Sequence, residues 1–137
     1  MVLKRFAMKK LVRDKTVERQ YNKGATEVVA RTLEPKEYRA ALQEKLVEEV
    51  QEIFDAHTVE ELVSECADVL EVIEALLVYS GKTFDDAHKA QKEKKEKRGG
   101  FATRCFIESV VAPEDSEIAR YCSQYPGKYP ELLVDKV

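Results

Sequence analysis

The chain has 137 residues, of which 44% are hydrophobic and 36% carry a charge, and its formal net charge is −3. This length suits one domain with a real core, and the balance of apolar and charged residues excludes a disordered or fibrous protein. The net charge provides no general basic surface, so we expect no non-specific binding to nucleic acid.

The chain contains three cysteines, which are Cys66, Cys105 and Cys122. Their odd number, wide spacing and lack of a CxxC pair indicate reduced thiols in a cytosolic protein, and no zinc site is expected. The first ten residues lack the sustained apolar stretch of a signal peptide. The most apolar segment, residues 69–79, is far shorter than the ~20 residues that a membrane-spanning helix needs. We therefore expect a cytoplasmic protein without membrane association.

Apolar residues that recur at helical spacing predict a mainly α-helical chain. A short helix is expected to end near Lys23 and Gly24. Pro35 suits the first turn of the next helix, because its missing N–H costs nothing there. The three long predicted helices span about residues 36–56, 58–79 and 84–98.

Two predicted capping boxes mark where long helices begin. In a capping box, a Ser or Thr side chain and an acidic side chain three residues later each accept a hydrogen bond from the other residue's backbone N–H. Thr58 with Glu61 marks the start of the second long helix. Thr83 with Asp86 marks the start of the third, which Gly99 ends, as a glycine just after the last turn does.

Outside these helices, two segments favour extended structure. Residues 26–33 are β-branched enough to form a short strand or an extended segment, and residues 103–111 suit a second short strand. We predict a domain of residues 1–112, followed by a tail of residues 113–137. Three tyrosines are expected to anchor that tail to the domain or to a partner subunit.

The fold class predicted from these elements is mainly α, an antiparallel helical bundle. Short turns between helices imply antiparallel neighbours. The first two long helices are apolar over wide arcs, and three helices alone would bury such arcs poorly. Association with a second subunit is therefore expected.

Four acidic residues lie where these apolar arcs would favour leucine. Glu49 and Glu52 are three apart on the first long helix, and Glu65 and Asp68 are three apart on the second. Residues with this spacing lie about 60° apart on one helix face. Glu49 falls at the edge of its apolar arc, Glu65 inside the next arc, and Asp68 at its margin.

Four gathered carboxylates would repel one another and take up protons unless cations relieve them. Oxygen ligands favour Mg²⁺ or Mn²⁺, and Mg²⁺ tends to keep waters and to bind substrate phosphates. The sequence therefore predicts a metal site for phosphate chemistry. The alternative is that the acids form salt bridges to Lys45, to Arg39 or to the third helix.

Three motifs carry a family resemblance. The first is the pattern EExxE followed by ExxD, which stands here as Glu48-Glu49-x-x-Glu52 and Glu65-x-x-Asp68. The others are KLVRDK at residues 10–15 and KKEKRGGF at residues 94–101. In this order they resemble the MazG and phosphoribosyl-ATP pyrophosphohydrolase superfamily of all-α nucleotide pyrophosphohydrolases. Thr16-Val17 departs from the Ile-Pro that usually follows KLVRDK in the small stand-alone members.

The resemblance implies a helical bundle that forms a homodimer or a higher homo-oligomer. It also implies hydrolysis of a nucleoside triphosphate or related nucleotide to the monophosphate and pyrophosphate, in a house-cleaning role, with Mg²⁺ or Mn²⁺ as cofactor. The implied metal ligands are Glu49, Glu52, Glu65 and Asp68. The implied phosphate contacts are Lys94, Lys97 and Arg98, with Arg13 and Lys15 as further candidates. For the base that accepts a proton from the attacking water, we choose Glu52.

Three alternatives stay open on the sequence alone. One is phosphoribosyl-ATP hydrolysis in histidine biosynthesis on the same fold. Another is a catalytically silent helical binding protein. The third is a nucleic-acid module that uses the lysine-rich third helix, whose binding would weaken with salt.

Overall fold

A computed structural model describes residues 1–135 and contains five α-helices in that range. They are α1 (Thr16–Asn22), α2 (Pro35–Asp55), α3 (Val59–Tyr79), α4 (Phe84–Arg98) and α5 (Glu117–Gln124). The described residues form no β-strand. The predicted mainly α-helical fold class is therefore confirmed, and the three long predicted helices end within a residue or two of their observed limits.

The two predicted short strands, at residues 26–33 and 103–111, are wrong. A strand needs a neighbouring backbone to complete its ladder of hydrogen bonds, and neither segment has one. Residues 26–33 instead connect α1 to α2 as an irregular segment that side chains hold in place. The Val28 N–H donates to the Tyr21 hydroxyl at 3.2 Å, and Arg31 pairs with Glu37 at 2.7 Å. Local β-branched composition did not overcome the lack of a partner.

Helices α2 and α3 pack against each other as an antiparallel hairpin. Within the described chain, theirs is the most extensive contact between two helices. Three residues connect them, and Tyr38 near the start of α2 meets Tyr79 at the end of α3, with ring centroids 5.9 Å apart. Leu42 and Val72 are the buried apolar side chains, at 2% and 6% exposure. The hairpin brings the middle of α2 alongside the middle of α3, which positions the acidic residues.

The start of α3 is capped as its sequence predicts, with one difference. The Thr58 hydroxyl accepts a hydrogen bond from the Glu61 N–H at 3.1 Å. The Glu61 carboxylate reaches one residue further than expected and accepts from the His57 N–H at 2.7 Å. At α4, Asp86 accepts from the Thr83 N–H at 2.9 Å, a bond that lowers the pKa of Asp86. Both predicted helix starts are confirmed.

We expect Thr58→Ala to lower the free energy of unfolding by about 1 kcal/mol, because one N–H in the first turn of α3 loses its partner. Urea denaturation followed by circular dichroism measures this loss. Thr26→Ala is the matched control, since Thr26 is exposed and caps no helix. Equal stability of the two variants would contradict a capping role for Thr58.

By packing, the chain divides into two compact units, Met1–Glu96 and the residues from Lys97 onward. The first holds α1, α2, α3 and most of α4, and the second holds the end of α4 and all of α5. This division does not test the predicted domain of residues 1–112 and tail of residues 113–137, which stays a prediction.

Helix α5 in the second unit was not predicted. Its N-cap is Ser116, whose hydroxyl accepts a hydrogen bond from the Ala119 N–H at 3.2 Å. Tyr121 of α5 contacts the rings of Tyr125 and Tyr129, with centroids 5.4 and 5.8 Å apart. The tail tyrosines therefore pack on one another within this unit. A serine before residues at helical spacing was the signal that could have revealed this helix.

Apolar side chains also lie exposed on the hairpin, along one stripe of each helix. On α2 the stripe contains Val47 and Phe54, and on α3 it contains Val59, Val63 and Leu70. At about 100° per residue, the members of each stripe fall within about 40° of one another. Despite this apolar character, no helix in residues 1–135 has the length and hydropathy that crossing a membrane requires.

Candidate metal centre

Carboxylate oxygens of Glu49, Glu65 and Asp68 lie within 4.8 Å of one another. Glu49 comes from α2, and the other two come from one face of α3, where their spacing of three residues places them. We call these residues the acidic triad. Three of the four predicted metal ligands are thus brought together by the hairpin.

Glu49 is the buried charged residue of the described chain, at 7% exposure. Lys45, one turn earlier on α2, donates to it at 2.8 Å and also lies 3.3 Å from Glu48. Burial lowers the pKa of Lys45, but its bonds to Glu49 and Glu48 outweigh burial, so the net shift is upward. This pairing is the salt bridge to Lys45 that the sequence offered as an alternative, whereas Arg39 forms no ion pair within residues 1–135.

Asp68 is paired with a residue distant in sequence. Arg13, which lies before α1, places Nη2 2.5 Å from Asp68 Oδ1 and Nη1 3.9 Å from Glu71 Oε2. Arg13 was predicted only as a phosphate contact. Nothing in local spacing predicts a partner 55 residues away, so sequence reasoning missed this pair.

Within residues 1–135, Glu65 forms no ion pair. Its Oε2 atom is buried and has no hydrogen-bond partner among the residues described. A buried carboxylate oxygen without a partner is costly, and an ion or a ligand group is what relieves such a cost. The triad offers only oxygen donors, the type that Mg²⁺ and Mn²⁺ prefer. The residues present therefore fit a hard divalent cation.

The spacing of the triad is also close to what such an ion needs. Oxygens on opposite sides of an octahedral Mg²⁺ are about 4.2 Å apart, twice the Mg–O distance of ~2.1 Å. The triad oxygens lie no more than 4.8 Å from one another, a limit close to that separation.

Glu52, the fourth predicted ligand, is exposed and does not belong to the triad. Its pKa is raised, first by partial burial and then by the neighbouring carboxylates of Glu49 and Glu65. It therefore lies beside the triad and responds to its charge. A carboxylate with a raised pKa holds a proton more readily than an ordinary one.

The predicted phosphate contacts on α4 fall in both compact units. Lys94 is exposed in the first unit, and Lys97 and Arg98 are exposed in the second. None of the three forms an ion pair in the described part of the chain, and neither does Lys15, which is the N-cap residue of α1. Of the predicted phosphate contacts, only Arg13 meets the acidic residues.

A cleft of about 470 Å³ lies in the first unit. Its lining residues are Leu11, Asp14, Arg31, Thr32, Leu33, Pro35, Tyr38 and Tyr79. Leu11 and Asp14 flank the arginine that pairs with Asp68. The segment with the KLVRDK motif therefore borders both the acidic triad and the cleft.

No family model, curated protein or solved structure matches the chain. What the fold and the site define is an all-helical protein with an oxygen-rich acidic centre on a two-helix hairpin. Membership of the MazG superfamily rests on the three short motifs and stays a proposal.

Proposed function

We propose that this chain is a Mg²⁺-dependent nucleotide pyrophosphohydrolase, which cleaves a nucleoside triphosphate or related nucleotide to the monophosphate and pyrophosphate. The observation that carries the proposal is the convergence of Glu49, Glu65 and Asp68, one of whose oxygens is buried without a partner. The resemblance of the three motifs to the MazG superfamily supports the choice of a nucleotide as the substrate.

The charge of the centre supports a divalent cation. The triad and Glu52 contribute four carboxylates, whereas the cations paired with them, Lys45 and Arg13, are also shared with Glu48 and Glu71. Negative charge is therefore in excess at the centre, and a divalent cation would reduce that excess.

Glu49, Glu65 and Asp68 would hold the metal, with Glu52 at its side. When bound, Mg²⁺ supplies charge neutralisation for the phosphates and lowers the pKa of a coordinated water. Glu52 is our choice for the base that takes the proton of the attacking water, since its raised pKa makes it a stronger base than an ordinary carboxylate. The water oxygen bonds to the α-phosphorus, and the bond from that phosphorus to the bridging oxygen breaks as pyrophosphate leaves.

Lys94, Lys97 and Arg98 remain our proposed contacts for the outer phosphates. All three are exposed and free of ion pairs within residues 1–135, so they are available to an anion. The free thiols of Cys66, Cys105 and Cys122 support our proposal of a cytosolic setting.

We also propose that the active form is a homodimer or higher homo-oligomer. The exposed stripes of α2 and α3 are the support, since exposed apolar surface on a small protein marks a site of association. A second hairpin laid against these stripes would bury them within a larger antiparallel bundle.

We expect Val63→Glu, which places a charge in the middle of the α3 stripe, to shift the protein to a monomer. Burying that carboxylate in an interface would cost several kcal/mol, which is enough to weaken the association at least 100-fold (roughly 3 kcal/mol or more). Light scattering coupled to size-exclusion chromatography measures the mass. Val29→Glu is the control, because Val29 is exposed outside both stripes. A wild-type protein that is already monomeric would refute this part of the proposal.

A screen for pyrophosphate release tests the proposed activity directly. The panel contains canonical and damaged nucleoside triphosphates together with phosphoribosyl-ATP, each with Mg²⁺ and with excess chelator. Pyrophosphate release from one class of substrate, lost when the chelator removes Mg²⁺, would support the proposal. The class that is cleaved would distinguish hydrolysis of nucleoside triphosphates from hydrolysis of phosphoribosyl-ATP. No release from any substrate would favour a silent binding protein and overturn it.

A further inference from the structure

Arg13 joins the N-terminal segment to the acidic triad through a single side chain. Its Nη2 lies 2.5 Å from Asp68 Oδ1, and its second contact, to Glu71, is longer at 3.9 Å. The Arg13 side chain is 56% exposed, so solvent reaches the pair from outside. Asp68 is therefore neutralised by a group that sits on the open side of the centre.

The second cation of the centre is held differently. Lys45 lies on the same helix as Glu49, four residues earlier, and its side chain is only 18% exposed. Its position is fixed by α2. Arg13 belongs to no helix, since α1 begins at Thr16 and the residues before it are irregular. Of the two cations, Arg13 is the one that can leave its carboxylate without disturbing the hairpin.

A metal ion and Arg13 compete for the charge of Asp68. Once a divalent cation shares that carboxylate, the attraction that holds the guanidinium weakens and like charges face each other. A guanidinium released here stays beside the triad, where the phosphates of a metal-bound nucleotide would lie. Its planar pair of N–H donors matches two phosphate oxygens at once, which an ammonium group cannot do.

We propose that Arg13 is an exchangeable counter-cation: it neutralises Asp68 in the metal-free protein and transfers to the phosphate chain of the metal-bound nucleotide. The inference rests on the proposed function and adds a role for the KLVRDK segment. That segment then links metal binding at Asp68 to capture of the substrate.

Arg13→Gln tests this exchange, because it should move two measurements in opposite directions. Affinity for Mg²⁺ alone, measured by titration calorimetry without nucleotide, should rise about two- to fivefold, as expected when an exposed competing ion pair is removed. The KM for the best substrate should rise roughly tenfold or more, as expected for the loss of a charge-assisted hydrogen bond. Arg13→Lys should keep the Mg²⁺ affinity of the wild type and recover only part of the KM.

Arg5→Gln is the matched control. Arg5 also lies near the N-terminus and pairs with an acidic residue, Glu27, and its substitution by glutamine removes the same positive charge. It should change neither measurement. Unchanged or weaker Mg²⁺ binding by Arg13→Gln, or an unchanged KM, would overturn the exchange while leaving the proposed activity in place. A wild-type protein that binds no Mg²⁺ would instead defeat the proposed function, and the exchange with it.

Discussion

We expect Glu65→Gln to lower the proposed Mg²⁺-dependent pyrophosphate release by at least 100-fold in kcat/KM while keeping the helical fold. Glu65 is the triad member without a cation, and its Oε2 is buried and unpartnered in the described chain. An ion at the triad would gain most from this carboxylate, since the other two are already shared with Lys45 and Arg13. Losing a ligand that stabilises charge on the reacting phosphate costs roughly 3 kcal/mol or more of transition-state stabilisation.

The same substitution should not destabilise the metal-free protein at pH 7. The raised pKa of Glu52 means that protonation of this carboxylate favours the folded state over the unfolded chain. Its contribution to the free energy of unfolding is complete below pH 4.5 and is lost as the pH rises through the raised pKa. The causes of that shift include the repulsion of the Glu52 carboxylate by Glu49 and Glu65. Glu65→Gln removes part of it, so its thermal midpoint should equal or exceed that of the wild type.

Glu74→Gln is the matched control for both measurements. Glu74 lies on α3 nine residues after Glu65, which at about 100° per residue places it on the opposite face, and it is exposed. This variant should keep full activity. If Glu65→Gln and Glu74→Gln were equally active, Glu65 would have no part in the reaction.

We expect Lys45→Met to destabilise the metal-free protein by about 2 kcal/mol, because Glu49 would be left buried without its cation. Removal of one partner from a fully buried pair costs about 3–5 kcal/mol, and the partial exposure of Lys45 reduces that figure. Urea denaturation at pH 7 measures the loss. In the wild type the pair should persist through pH 10.5, the ordinary value for lysine, and be lost only as the pH rises through the raised pKa of Lys45.

Two further measurements separate this cause from lost packing. The double variant Lys45→Met with Glu49→Leu should recover most of the stability, since no buried charge remains. Added Mg²⁺ should recover part of it in the single variant, because an ion at the triad replaces the missing cation. Lys36→Met is the control, as Lys36 is exposed on α2 and forms no ion pair in residues 1–135. A loss that persists in the double variant would show that Lys45 acts through its methylene chain.

How much the sequence could predict depends on the distance over which each feature is determined. The limits of α3 follow from Thr58 and its neighbours, and the acids follow from spacing within single helices, so both were accessible. The Lys45–Glu49 pair is one turn of helix and was anticipated as an alternative. The pairing of Arg13 with Asp68 depends on how the N-terminal segment lies across α3, which no local pattern encodes.

The two predicted strands that do not form also show that local patterns do not encode long-range contacts. β-branched residues at 26–33 carry a strand preference, but a strand is completed only by a distant backbone, and α2 begins before one is met. Helix α5 is only eight residues long, and its N-cap at Ser116 was overlooked in the sequence. Conversely, the exposed position of Glu52 outside the triad could not be read from its helical angle, which differs from that of Glu49 by only about 60°.

The small core of the hairpin has a consequence for how this chain persists in a cell. Leu42 and Val72 are the apolar side chains buried within one copy, among the residues described, and two such side chains offset little of the entropy lost on ordering helices of 21 residues each. If self-association supplies the remainder, folding becomes a mass-action equilibrium. The concentration of the chain then determines which fraction of it is folded. At low concentration a larger fraction is unfolded and open to degradation.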